Sequence, residues 1–171
     1  SLPPPPPKGV FEDKATLSAA VSDWIANEAT AEDTHGAISG WDTSRVDDFL
    51  ELFRDQDTFN DDISGWDTSK VTNMDRSFCD AKAFNSQLNW DTSSVTDMDL
   101  TFDGAEAFNQ ALDWDVASVT SFVGMFYNAK AFNQALDWDT SKVADMEYTF
   151  NGAEAFNRQL VWDTSSVTNM Y

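Results

Sequence analysis

Two side chains that often serve in catalysis are nearly missing from this chain. Cys79 is the only cysteine among 171 residues, so no intrachain disulfide can form and stability has to come from packing. His35 is the only histidine, and nothing in its spacing from Cys79 favours a nucleophile–base pair. The sequence therefore predicts no catalytic residues and no enzymatic activity.

Positive charge is also scarce. Ten Lys and Arg residues stand against thirty Asp and Glu residues, which gives a formal net charge of −20. Nucleic acids and anionic lipid surfaces are both recognised through Lys and Arg, so this excess argues against either partner. The charge instead favours solubility and cationic partners, including divalent metal ions.

Long apolar runs are absent as well. No run approaches the ~20 residues that cross a membrane, and no signal peptide is recognisable. The chain opens with "SLPPPPPKGV", in which residues 3–7 are all proline and predict a stiff polyproline spacer within a Pro-rich linker over residues 1–10. This opening and an incomplete final repeat lead us to expect that the sequence is cut from a longer protein.

What the sequence has in abundance is internal repetition. The dipeptide Trp-Asp recurs at an interval of 25 residues and then four times at 24 residues, a period typical of stacked repeat proteins. We number each repeat from its tryptophan, which is position 0. These tryptophans, which we expect to form a ladder through the core, are Trp41, Trp66, Trp90, Trp114, Trp138 and Trp162.

The apolar residues of each repeat suggest one helix and one strand. Valine at +5, Met or Phe at +8 and Phe at +12 have the spacing of one helix face. A leucine two residues before the next tryptophan, such as Leu112 before Trp114, is typical of a brief strand. Because so short a unit cannot bury its own apolar face, the sequence predicts an α/β fold. This fold is a solenoid of about five to six turns of 24–25 residues, with a short parallel strand and a short helix per turn.

A different segment precedes the repeats. Leu17, Ala20, Val21, Trp24 and Ile25 recur at helical spacing within residues 11–29. Solenoids need caps over their open ends, so we predict an N-terminal cap helix over this segment. With its junction the cap spans residues 11–35, and the repeats span residues 36–171 with the last one truncated.

Two polar residues recur as regularly as the tryptophans. The asparagine at +19 is interpreted as a stack of amides that satisfies polar groups between turns, and a ligand-reading row is the alternative. Its members are Asn60, Asn85, Asn109, Asn133 and Asn157.

The aspartate at +1 is interpreted as a cap on the start of the predicted helix, where free N–H groups and the helix dipole favour an anion. Its members are Asp42, Asp67, Asp91, Asp115, Asp139 and Asp163. The alternative is a calcium-binding edge, because hard cations take oxygen ligands. No repeat has the Asp-x-Asp-x-Asp-Gly spacing of a dedicated calcium loop, so no metal ligand and no cofactor is assigned.

The repeat phrase resembles a known family. The segments "FNDDISGWDTSKVTNMDRSF" (59–78) and "FNQALDWDTSKVADMEYTF" (132–150) are similar to the BspA-like surface-protein repeats, a type also found in mycoplasma lipoproteins. The resemblance covers about residues 38–171 and implies a leucine-rich-repeat-like solenoid. It also implies an extracellular or cell-surface location, a role in adhesion or recognition, and no enzymatic activity.

These observations lead to one main hypothesis of function and one alternative. The main hypothesis is a non-enzymatic extracellular or cell-surface module that recognises protein or glycan, with no binding residues assigned. The alternative is a structural subunit of an extracellular filament or coat, in which copies of the chain assemble through the ends of the solenoid.

Overall fold

A computed structural model describes residues 8–171 of the chain. In this range the helices are α1 (Lys14–Ala26), α2 (Glu28–His35) and a single 3-10 turn at Ile38–Gly40. Most of the Pro-rich linker predicted over residues 1–10 lies outside the described residues. Its last residue, Val10, forms a parallel bridge with Asp42.

The helix predicted over residues 11–29 is two helices, because the chain bends at Asn27. Asp13 caps the start of α1, where its carboxylate accepts the Thr16 backbone N–H at 2.9 Å. Asn27 has an extended φ of −163° that ends α1, and its side chain accepts the Thr30 N–H at 3.1 Å to start α2. Asn27 can end α1 and also start α2, because its side-chain oxygen accepts an N–H of the first turn of α2 that has no acceptor within that helix.

Helix α1 lies against the first repeat. Four of the five predicted apolar-face residues are buried, whereas Ile25 is 37% exposed. The indole of Trp24 meets that of Trp41 edge-on at 5.9 Å, and its N–H donates to the Asp61 carboxylate at 2.8 Å. Aromatic packing and a polar anchor therefore fix α1 to the first repeat.

The predicted α/β solenoid of strand–helix turns is wrong. Residues 41–171 contain no helix and no sheet. Each repeat is a coil of consecutive turns, and neighbouring coils are joined by isolated parallel bridges at position +7. The bridged residues are Asp48, Asn73 and Asp97 in one run and Ser121, Asp145 and Asn169 in another. These bridges lie inside the predicted helix, and the predicted strand at Leu-x-Trp has none.

Left-handed residues explain why no helix forms. Each coil from the first to the fifth has positive φ at +10 and +14, as at Arg76 (53°) and Asp80 (56°). A non-glycine residue in this conformation costs about 1–2 kcal/mol and cannot propagate a right-handed helix. The set is Glu51, Asp55, Arg76, Asp80, Leu100, Gly104, Gly124, Asn128, Tyr148 and Gly152.

The backbone between these residues bonds to the next coil. The Arg76 N–H donates to the Asp99 carbonyl at 3.0 Å, and the Phe78 N–H donates to the Thr101 carbonyl at 2.9 Å. The alternate N–H groups close turns within the coil, as from Cys79 to Arg76 at 3.1 Å. The result is a ladder of coil-to-coil bonds from +8 to +14 that satisfies the backbone without strand pairing.

The predicted apolar columns are confirmed as the core. Valine at +5 and phenylalanine at +12 and +18 are buried through the middle of the stack. The Phe108 ring lies parallel to those of Phe84 and Phe132, at 5.9 and 6.0 Å. Equivalent side chains therefore pack on one another from coil to coil, as the 24-residue period indicated.

Candidate functional site

The tryptophan ladder belongs to the interior. Each indole N–H donates to a backbone carbonyl of the preceding coil or junction, as from Trp66 to Ile38 at 2.8 Å and from Trp90 to Ile63 at 3.0 Å. Consecutive rings stack at 5.9 Å between Trp41 and Trp66 and at 6.5 Å between Trp66 and Trp90. Trp114, Trp138 and Trp162 bond in the same way to Leu88, Leu112 and Leu136. These side chains hold coils together, and the first five rings are buried, whereas Trp162 in the last coil is partly exposed.

The asparagine column joins side chains to backbone. The Asn85 side-chain oxygen accepts the Asn109 N–H at 2.9 Å, and the Asn109 oxygen accepts the Asn133 N–H at 2.9 Å. The Gln134 amide adds a bond to the Asn109 backbone carbonyl at 2.9 Å. The same pattern runs from Asn60 to Asn85 and from Asn133 to Asn157. Because these oxygens are already occupied by the next coil, the column links coils.

The aspartate column closes turns. Since no helix starts at these positions, the predicted helix-capping role is wrong. The Asp91 carboxylate accepts both the N–H and the hydroxyl of Ser93, at 3.0 and 2.6 Å, which is the geometry of an Asx-turn. The other five aspartates accept the N–H of the residue two positions on, namely Asp42, Asp67, Asp115, Asp139 and Asp163.

Local hydrogen bonds lower the pKa of four aspartates in this column. Bonds from the serine side chain and then the serine N–H lower the pKa of Asp42, Asp91 and Asp139. The pKa of Asp163 is lowered by the Ser165 backbone N–H and side chain. A column of like charges is stable here because each carboxylate is satisfied within its own turn. Within residues 8–171, no group of three or more His, Cys, Asp or Glu side chains has the arrangement of a metal site.

The structure brings a different set of side chains to the surface. We call the side chains at +7, +9, +10 and +13 the ladder face, because they lie along the ladder of coil-to-coil bonds. Most of them are exposed or half-buried, whereas Cys79 at +13 is buried. Charge and chemistry vary along it: Asp99 lies 2.6 Å from the Ser121 hydroxyl, and Tyr127 meets Tyr148 edge-on at 6.2 Å. The sequence prediction missed this face because it placed these residues on a helix. Asp, Asn or Gly at every +14 position was the available signal for left-handed turns.

Acidic residues alternate with neutral ones at one position of the ladder face, whereas Asp75 and Asp99 follow each other directly at +9. Position +7 alternates an acid with a neutral residue in the order Asp48, Asn73, Asp97, Ser121, Asp145 and Asn169. Burial still raises the pKa of Asp75, Asp99 and Asp103. One carboxylate oxygen of Asp75 is buried and has no hydrogen-bond partner among the described residues. This face therefore carries acidic groups that are costly to ionise.

These raised pKa values predict a stability maximum on the acid side of neutral. A folded-state pKa above the unfolded value means that the folded chain binds protons first as the pH falls from 7, so the free energy of unfolding rises. Below the ordinary aspartate pKa, the four Asx-turn aspartates whose pKa is lowered begin to protonate and stability falls. Urea titrations between pH 3 and pH 8 measure this curve. In the Asp75→Asn variant, the increase in the free energy of unfolding between pH 7 and pH 5 should be smaller than in the unaltered chain. An equal increase in both would contradict the raised pKa of Asp75 as its source.

Cys79 is predicted to be unreactive. Its thiol lies 3.7 Å from the Asp103 carboxylate and 3.8 Å from that of Asp80. Burial, followed by the charges of Asp103 and Asp80, raises its pKa to about 12. Because the thiolate is the reactive species, modification at pH 8 should be about a thousandfold slower than for a free thiol. A labelling time course, with the urea-unfolded chain as control, tests this, and equal rates in both states would contradict it.

Comparison with known families adds one assignment. The family described as "Mycoplasma protein of unknown function, DUF285" matches residues 26–137 and also residues 87–171. Neither curated proteins nor solved structures gave a match. No helix among residues 8–171 is long and apolar enough to cross a membrane. Because the two matched segments together span residues 26–171 and therefore most of the chain, the chain belongs to the DUF285 family.

Proposed function

We propose that the chain is a non-enzymatic recognition or adhesion module that acts outside the cell or at its surface, binding protein or glycan through the ladder face. One observation carries this proposal. The inward columns repeat nearly unchanged, whereas the side chains of the ladder face differ from coil to coil on a backbone held by regular hydrogen bonds. Diversity on a rigid scaffold is the usual arrangement of a binding surface.

The chemistry of the face suggests the class of ligand. Acidic side chains such as Asp97, Asp99 and Glu147 give it negative charge, and the exposed Tyr148 adds aromatic surface. A cationic protein segment could pair with the carboxylates and place Lys or Arg over a tyrosine ring. The resemblance of the repeats to BspA-like surface proteins supports the same role and location.

The proposal is tested by binding to an array of proteins and glycans, followed by paired variants. Asp97→Asn with Glu147→Gln removes two charges from the ladder face. The matched control, Asp113→Asn with Asp137→Asn, removes two charges from exposed positions away from it. We expect the first pair to weaken binding of an array ligand about tenfold and the control to leave it unchanged. Equal losses from both pairs, or no ligand on the array, would contradict the proposal.

A further inference from the structure

At one edge of the ladder, backbone bonds at +6 and +8 join neighbouring coils. The N–H at +6 donates to the +6 carbonyl of the preceding coil, as from Thr96 to Thr72 at 2.9 Å. The N–H at +8 donates to the +7 carbonyl of the next coil, as from Met74 to Asp97 at 2.9 Å. Both bonds are present between the first and second coils, the second and third, the fourth and fifth, and the fifth and sixth.

The interface between the third and fourth coils, which begin at Trp90 and Trp114, lacks both bonds. Within the part of the chain that the structure describes, the N–H groups of Met98 and Thr120 have no acceptor. The parallel bridges at +7 also stop here, since Ser121 is bridged to the fifth coil and to no described residue of the third. We call this edge of the third and fourth coils, from +4 to +8, the seam.

Side-chain bonds are missing from the seam as well. At +6, the threonine hydroxyls of other coils donate to a carbonyl of the preceding coil, whereas that of Thr120 donates to no described residue. The donating residues are Thr72, Thr96 and Thr168. At +4, the Ser94 hydroxyl donates to the Ser69 carbonyl at 3.0 Å, and the Ser118 hydroxyl has no equivalent bond among residues 8–171. The third and fourth coils are therefore held together by fewer bonds at this edge than the other coils are.

The short side chain of Ser121 distinguishes the seam in the sequence. The first, second, third and fifth coils have Asp or Asn at +7, which accepts the +9 N–H of its own turn, as Asp145 does from Glu147 at 2.9 Å. The Ser121 hydroxyl lies 3.4 Å from the Val123 nitrogen. The Asp99 carboxylate of the third coil accepts this N–H instead, at 3.0 Å, and also accepts the Ser121 hydroxyl at 2.6 Å. One carboxylate thus joins the two coils where backbone bonds join the others.

Backbone bonds beside the seam remain. From +10 onward, the Leu100 N–H donates to the Val123 carbonyl at 2.8 Å, and the Phe102 N–H donates to the Met125 carbonyl at 2.9 Å. The next rung, from Gly104 at +14, is also present at 2.8 Å. An interface that is bonded along one edge and not along the adjacent edge can open by rotation about the bonded edge.

We propose that the seam is a hinge between two rigid blocks, and that the Asp99 carboxylate holds it closed. One block is the cap with the first three coils, and the other is the fourth to sixth coils. The blocks rotate about the bonds from +10 to +14, and the seam opens when Asp99 releases Ser121 and Val123. Because the stability of a stack is a sum over interfaces between neighbours, motion concentrates at the interface with the fewest bonds. The hinge lets the two halves of the ladder face change their relative angle. It rests on bonds within the stack and is independent of any ligand of that face.

Residue-resolved hydrogen exchange of the 171-residue chain measures the opening. Rotation at the hinge strains the nearest rung, which is the bond from Leu100. After correction for intrinsic rates, we expect the Leu100 N–H to be protected about tenfold less than the N–H groups of Arg76 and Gly124. These groups make the same +10 bond in the two neighbouring interfaces, at 3.0 and 2.8 Å. Equal protection of all three would overturn the proposal.

Restoring the usual residue at +7 should close the hinge. In the second coil the Asn73 side chain accepts the +9 N–H at 2.9 Å, so Ser121→Asn supplies the acceptor that the fourth coil lacks. We expect this variant to raise the protection of the Leu100 N–H about tenfold, to that of Arg76. Unchanged protection of Leu100 in this variant would overturn the role given to Ser121.

Removing the carboxylate should have the opposite effect. Asp99→Ala should lower the protection of the Leu100 N–H about fivefold further, because the seam loses the bonds to Ser121 and Val123. The matched control is Asp75→Ala, at the same position of the second coil, where the carboxylate bonds to no described residue of the third coil. The control should leave the Arg76 rung as protected as before. Equal losses in both variants would overturn the role of Asp99, and Ser121→Asn carries the test if Asp99→Ala does not fold.

Paired spin labels test whether the blocks move as units. Lys70 and Lys142 are exposed residues at +4 of the second and fifth coils, on the same edge as the seam. Lys82 and Glu154 are exposed residues at +16 of the same coils, on another edge. With the native cysteine replaced by serine, we expect the distance distribution of the +4 pair to be about twofold broader than that of the +16 pair. Ser121→Asn should narrow it to the width of the +16 pair. Equal widths for the two pairs in the chain that keeps Ser121 would overturn the hinge.

Discussion

Replacing Phe108 with alanine should lower the free energy of unfolding by about 3–5 kcal/mol, the usual cost of removing a buried phenylalanine. The Phe108 side chain is 0% exposed. Its ring packs at 4.0 Å against Phe102 and lies between Phe84 and Phe132. A cavity here interrupts two aromatic columns at once, and the coils on either side cannot close it without breaking their hydrogen-bonded ladder.

The same column provides a matched control. Phe156 has the same position in the fifth repeat but is only partly buried. Phe156→Ala should cost about 1–2 kcal/mol, in proportion to the smaller apolar area it covers. Urea unfolding followed by tryptophan fluorescence gives both values. Similar losses for the two variants would show that the coils do not pack as described.

Replacing Asn109 with leucine should lower the free energy of unfolding by about 1–3 kcal/mol, because a neighbouring N–H loses its acceptor. The Asn133 N–H donates to the Asn109 side-chain oxygen at 2.9 Å, and the Gln134 amide bonds to the same oxygen at 3.0 Å. Leucine has the same number and branching of side-chain heavy atoms and no acceptor, so the loss reports mainly the hydrogen bonds.

Two further variants isolate the acceptor. Asn109→Asp keeps an oxygen at the bonding position and should lose less stability than Asn109→Leu. Asn157→Leu removes an oxygen that has no donor among the described residues, so it should change the free energy of unfolding by less than about 0.5 kcal/mol. Urea titrations of all three compare them directly. Equal effects of Asn109→Leu and Asn157→Leu would rule out the coil-linking role.

The path of the backbone could not be read from the apolar spacing. Val95, Met98 and Phe102 stand three and four residues apart, a pattern that a helix and a ribbon of tight turns share. The helix and the ribbon of turns differ in the acceptors of their backbone N–H groups. Here the N–H groups of Leu100 and Phe102 donate to carbonyls of the next coil, at 2.8 and 2.9 Å. Such bonds join residues a full repeat apart, so no local window of sequence reveals them.

The roles of the polar columns were predictable only in part. Asn109 and Asp115 recur because each satisfies backbone groups, as the sequence suggested, but the partners differ from the expected ones. Asp115 serves an Asx-turn instead of a helix start, because the left-handed residues at +10 and +14 keep the coil from becoming helical. The ladder face could not be predicted either, because its side chains lie on one surface only when the left-handed residues form the turns.

The sequence by itself determined the repeat period, the buried columns of Trp, Val and Phe, and the excess of negative charge, because these depend only on residue type and spacing. The tertiary structure alone decided that each repeat is a coil of turns, which side chains form the ladder face, and which backbone groups the asparagine column binds. All three depend on hydrogen bonds between residues about 24 positions apart. Those bonds exist only when the coils lie against one another.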